Sequence, residues 1–126
     1  MKSFIAAMLI LVLIIVGTAM YIAMLDHSVE RLEAHVTQIE NDAADENWQS
    51  CQAALNDLFE EWNRLKPQLE FFMHHNEMDQ IYQILYEVKG YADFHNREEL
   101  LVKTGVLRIL IEHLPENEQL TLKNIF

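Results

Sequence analysis

The sequence predicts an all-α protein, with an N-terminal transmembrane helix followed by an antiparallel bundle of about four helices. Three observations carry this. Residues 4–25 are unbroken by any charge, Asn, Gln, His or Pro. Beyond them, apolar residues recur at steps of three and four almost everywhere, the period of one helix face. Only 3 Gly and 2 Pro occur in 126 residues, too few for a turn-rich β fold or a glycine-rich phosphate loop.

The apolar run Phe4 to Leu25 is 22 residues long, and its polar members are Thr18 and the Tyr21 hydroxyl. At about 1.5 Å per residue it makes a helix of roughly 33 Å, enough for a hydrocarbon core of about 30 Å. Lys2 precedes it, while Asp26, Glu30 and Glu33 follow. Positive flanks stay in the cytoplasm, which predicts residues 1–3 as a short cytoplasmic N-terminus and residues 26–126 as an extracytoplasmic acidic bundle in the cell membrane. The competing reading is a cleaved signal peptide, since Gly17-Thr18-Ala19 supplies small residues at suitable spacing. The apolar run exceeds the usual 7–15 residues of such a core and continues past that point, which favours an uncleaved anchor. 

With about 100 residues left, one modest core can form, and a two-domain enzyme is excluded. The formal charge is −11, and −12 outside the membrane once Lys2 is set aside. That sign excludes a nucleic-acid binder, which neutralises phosphate with clustered Lys and Arg. The single Cys excludes an internal disulfide and a thiolate zinc cluster.

The stripe Leu25, Val29, Leu32, Val36 and Ile39 follows the anchor without Gly or Pro, so one rod is expected to about Glu40. Asn41 to Asp45 then reads as a turn with capping carboxylates. Trp48, Cys51, Leu55, Leu58, Trp62, Leu65 and Leu69 form the next stripe, with a kink or break expected near Pro67. Phe71, Phe72 and Met73 give an apolar patch. Asn76 is expected to cap a third helix carrying Met78, Ile81, Leu85, Val88 and Ala92, flanked by Tyr82, Tyr86 and Tyr91. Asn96 is expected to cap a fourth carrying Leu100, Thr104, Leu107, Ile111 and Leu114, ended by Pro115. Gly105 inside that helix costs about 1 kcal/mol relative to Ala, so close packing against a neighbour is its expected reason. The tail Leu120, Leu122, Ile125 and Phe126 is expected to dock on the bundle. No repeat with a period of 20–50 residues is visible in the residues themselves.

Candidate chemistry is sparse. His74 and His75 lie near Glu70 and Asp79, and imidazole with carboxylate is a metal-ligand set. Adjacent His residues nevertheless point about 100° apart on a helix, so no metal or cofactor is expected. Cys51 lies in an apolar stripe without a neighbouring base, the pattern of an inert buried thiol. Trp48 and Trp62, two heptads apart, read as core anchors. The pairs Glu60-Glu61, Glu98-Glu99 and Glu116 with Glu118 read as solvated faces. Asn41 to Glu46 lacks the Gly of a calcium loop. No catalytic residue is predicted, and no enzymatic activity.

The anchor, Asp45-Glu46-Asn47-Trp48, the Trp48–Trp62 pair, His75-Asn76-Glu77-Met78-Asp79 and the ending from His113-Leu114-Pro115-Glu116 to Leu120-Thr121-Leu122-Lys123-Asn124-Ile125-Phe126 resemble the domain of unknown function 4363 family. The resemblance covers nearly the whole chain. It implies a small single-anchor protein of spore-forming Firmicutes and a partner in the membrane, and it brings no activity, cofactor or site residue. The expected function is a membrane-anchored extracytoplasmic interaction module that binds another membrane protein. The alternative is a ligand- or metal-sensing bundle with its site at His74-His75 or in a Trp-lined groove. Polar residues converging inside the bundle distinguish the second from the first.

Overall fold

A computed structural model describes residues 1–71 and 73–115. The docking expected for Leu120, Leu122, Ile125 and Phe126, and the part given to Phe72, lie outside the described residues. Four helices follow in order: α1 (Lys2–Ala44), α2 (Trp48–Leu69), α3 (His75–Asp93) and α4 (Arg97–Glu112). No strand occurs among the described residues. α1 packs on α2 and α4, and α3 packs on α4 and α2, which closes a ring of four antiparallel neighbours.

α1 is one unbroken helix of 43 residues, long and apolar enough over its first half to be a single-pass membrane anchor. The division at residue 25 is a change of surroundings and not of backbone. Phe4 to Val16 present their side chains outward, and burial begins at Leu25 and continues through Val29, Leu32, Val36 and Ile39.

Helix ends depart from expectation in three places, at the end of α1, the start of α3 and the end of α4. α1 runs through Asn41 to Ala44, because Ala43 extends the buried stripe by one more step and is fully enclosed. Asp42 therefore caps nothing; its carboxylate accepts from Ser50 Oγ at 2.7 Å and Gln38 Nε2 at 3.0 Å. α2 stops at Leu69, two residues past Pro67, which is the break expected near that residue; buried Leu65 and Leu69 hold the final turn. The N-cap of α3 is His74 and not Asn76. Met73 and Met78, both buried, stand at the two positions of a hydrophobic staple, which fixes the start two residues earlier. α4 ends at Glu112, before Pro115.

Asn96 does cap α4, accepting from the Glu99 N–H at 3.3 Å, and Asn47 does the same for α2 with Ser50. Each Asn also closes the helix before it. Asn47 N–H donates to Asp42 O while Glu46 N–H donates to Ala43 O; Asn96 and His95 repeat this with Tyr91 O and Ala92 O. That is the Schellman pattern, with Glu46 (φ 56°) and His95 (φ 53°) in the left-handed position that Gly usually takes.

The two turns reveal a period. Val29, Leu32, Val36, Ile39 and Ala43 recur 49 residues later as Met78, Ile81, Leu85, Val88 and Ala92; Cys51, Leu55, Leu58, Trp62 and Leu65 recur as Leu100, Thr104, Leu107, Ile111 and Leu114. All of these positions are buried. The bundle is thus two helical hairpins in the same register. The repeat is absent from the residues themselves, since only Ala43/Ala92, Leu58/Leu107 and Leu65/Leu114 are identical among these pairs. The hairpin constrains which positions are buried and leaves their chemistry free.

Candidate functional site

The residues singled out for metal do not assemble. His74 and His75 cap and open α3 with exposed side chains, and Glu70 and Asp79 are exposed as well. Among the described residues no group of three or more His, Cys, Asp or Glu side chains is placed to hold an ion. Cys51 is fully enclosed, with Sγ 3.9 Å from Ile39 O, and burial pushes its thiol up to about 11.

The two Trp part company. Trp62 is 1 % exposed and sits in the core. Trp48 is half-buried, against expectation, because it opens α2 at the rim of the bundle. Its ring stacks on His95 of the α3–α4 turn, centroids 4.9 Å apart and planes within 2°. The pair ties the two Schellman turns together. Leu55, Leu58, Leu65, Ile81, Leu85, Val88, Leu107, Ile111 and Leu114 are all buried.

Charged groups cluster at the seams between helices. Glu61 of α2 is buried, with Arg31 Nε and Arg64 Nη2 each 2.7 Å from one of its oxygens. On the α1–α4 seam, Thr104 Oγ1 donates to Glu40 at 3.2 Å, while Arg108 pairs with Glu40 and donates to Thr37 Oγ1 at 3.0 Å. On the α3–α4 seam, Lys103 Nζ lies 2.8 Å from Glu87, which holds the Glu87 carboxyl below its usual range. The Arg31–Glu61, Arg108–Glu40 and Lys103–Glu87 pairs join neighbouring helices, while Arg64–Glu61 lies within α2; Arg31, Glu61 and Arg64 line a cleft of about 220 Å³ between α1 and α2.

One seam carries a proton response. Burial raises the Glu33 carboxyl, and the facing Glu112 raises it further, with Arg108 opposing. A carboxyl raised on folding binds its proton more tightly in the folded state, so its stabilising share is present in full below the ordinary carboxylate range. It is lost as pH climbs through the raised value. Glu33→Gln is expected to raise the melting temperature near neutral pH and to flatten its rise on acidification toward pH 5. A Glu33→Gln variant that gains stability in acid as steeply as the parent would refute this.

Open space around Gly105 corrects its expected role. Nothing lies within 4 Å of where its Cβ would stand. It sits instead on an outward stripe of α4 formed by Val102 (62 % exposed), Val106 (39 %) and Ile109 (57 %). Steps of four and three make this a second apolar face on a helix whose first face is already buried. The equivalent positions of α2, 49 residues earlier, are Ala53, Asp57 and Glu60, with Asn56 matching Gly105. Two of the three places, Asp57 and Glu60 against Val106 and Ile109, are therefore acidic in one half and aliphatic in the other. The signal was present in the sequence as apolar residues of α4 that fall off the core stripe. A further exposed cluster spans α2 and α3, where Tyr86 packs edge-on against Phe59 and Tyr82, and Lys66 lies 5.4 Å over the Tyr82 ring.

A family model described as Domain of unknown function (DUF4363) matches residues 19–125. No curated protein and no solved structure matches the chain.

Proposed function

Because the chain belongs to the DUF4363 family, whose description assigns no activity, we propose from its surface that it is a membrane-anchored, extracytoplasmic interaction module without catalytic activity, which binds another membrane protein through the outer face of α4. The carrying observation is the stripe Val102, Val106 and Ile109 around Gly105. Exposed aliphatic residues in one helical row cost solubility unless something covers them. The hairpin does not require them, since α2 solves the same position with Asp57 and Glu60. Gly105 lets a partner backbone come close. Lys2 before the apolar run and the acidic flank after it support the extracytoplasmic placement of the bundle. The sensing alternative finds no support in the separation of His74, His75, Glu70 and Asp79, nor in two Trp that share no groove.

A photoactivatable residue at position 102 is expected to crosslink a discrete protein in native membranes, while one at position 57 gives no such product. Adding Val106→Asp to the first should reduce the product at least about tenfold, as loss of a central apolar contact does. Equal crosslinking from positions 102 and 57, or a product that survives Val106→Asp, would overturn the assignment.

A further inference from the structure

α1 passes from the apolar run into the bundle without a break, so the membrane boundary can be placed against the other helices. Met24, Ser28 and Arg31 of α1 face Glu61, Arg64, Leu65 and Gln68 of α2 across the cleft of about 220 Å³. α2 runs antiparallel to α1. Continuing that register carries position 71 down to the level of Tyr21 and Ile22, about 6 Å inside the end of the apolar run at Leu25. Tyr21 and Ile22 are half-buried, unlike the outward-facing residues before Val16. The lower end of the bundle therefore covers α1 below Leu25.

At this level Phe71 is 86 % exposed. Met73, two residues on, is buried and pins the connection to the core. Phe71 is thus an exposed aromatic ring just past the end of α2, at the height where interfacial aromatic side chains sit in membranes. The charges along the α1–α2 seam above it are mixed: Arg31, Arg64 and Lys66 pair with Glu61 and Glu70, and Asp26 and Glu30 lie on α1. They give no net attraction to anionic headgroups, so the contact must be apolar. Its height selects lipid as the occupant over any soluble protein.

We propose that the lower end of α2 is a membrane-contact element, in which Phe71 inserts into the interfacial layer of the bilayer that holds α1. This rests on the reading of α1 as a membrane anchor. The contact pins the bundle at a second point and limits the tilt of the unbroken α1 rod in the bilayer.

The test uses the full chain carrying Cys51→Ala, reconstituted in phosphatidylcholine nanodiscs. A nitroxide is attached through Leu9→Cys, Glu70→Cys or Phe94→Cys, and its depth is read from relative accessibility to oxygen and a nickel chelate. Phe94, 87 % exposed in the α3–α4 turn at the opposite end, supplies the water reference. Position 9 is expected in hydrocarbon. Position 70 is expected within about 5–10 Å of the headgroup boundary, with little change when anionic lipid is added. Phe71→Glu should move position 70 measurably toward the accessibility of position 94 and leave position 9 unchanged. Hydrocarbon at position 9 with water at position 70 overturns the contact and spares the anchor. Water at position 9 overturns the anchor and the contact with it. Position 70 left at its original accessibility after Phe71→Glu also overturns the proposal.

Discussion

Trp62→Ala is expected to destabilise the bundle by about 3–5 kcal/mol, the usual cost of emptying a buried aromatic site. The indole is 1 % exposed and lies on the inward face of α2 among Leu58, Leu65 and the other helices' stripes. Its Nε1 is buried with no hydrogen-bond partner among the described residues. A buried unpaired N–H is itself a cost of about 1–3 kcal/mol. Trp62→Phe therefore loses some volume but removes that liability, and its net loss should be much smaller than that of Trp62→Ala. Thermal unfolding of the three proteins in one detergent decides the matter. Equal losses for Phe and Ala would mean that the indole N–H is satisfied and contributes as much as the ring.

Cys51 is expected to resist alkylation in the folded protein both because it is enclosed and because its thiol is hard to ionise. Its thiol stands at about 11 because desolvation disfavours the thiolate, and the nearby Asp42 charge adds to this. At pH 8 an ordinary thiol of pKa about 8.5 is roughly a quarter thiolate, whereas Cys51 would be ionised at about one part in a thousand. Reaction with iodoacetamide should be slowed at least about 200-fold relative to the unfolded chain, with urea restoring the ordinary rate. Native-state labelling at the speed of a free thiol would place Cys51 outside the core.

The helical architecture was legible because each core stripe keeps its period over five or more residues, as from Trp48 to Leu69. What escaped were features that depend on two segments at once. Asp42 resembles a cap in its own neighbourhood, yet Ser50 and Gln38 occupy its carboxylate once α2 folds back. Asn76 is a good cap by type, but buried Met73 and Met78 move the start of α3 to His74. Trp48 continues the stripe in sequence while lying at the rim, where only half of it can be covered. The 49-residue period was invisible because positions such as Leu55 and Thr104 share a place and not a chemistry. The α4 face around Gly105 could have been found by asking which apolar residues a stripe leaves over.

The unbroken α1 also acts as a ruler. With no hinge between span and bundle, each level of the bundle stands at a fixed height above the lipid. Counting from the contacts of Thr104 and Arg108 with Thr37 and Glu40, Ile109 lies about 15 Å and Val102 about 25 Å above the end of the apolar run. A protein that meets this face must therefore carry a surface of its own outside the bilayer, which a bare membrane-spanning helix lacks. Confinement to one plane and one height also replaces a search through volume with a search over area. The encounter then costs less translational and rotational entropy than it would between free proteins, and a small aliphatic stripe can suffice for an association that would be weak in solution.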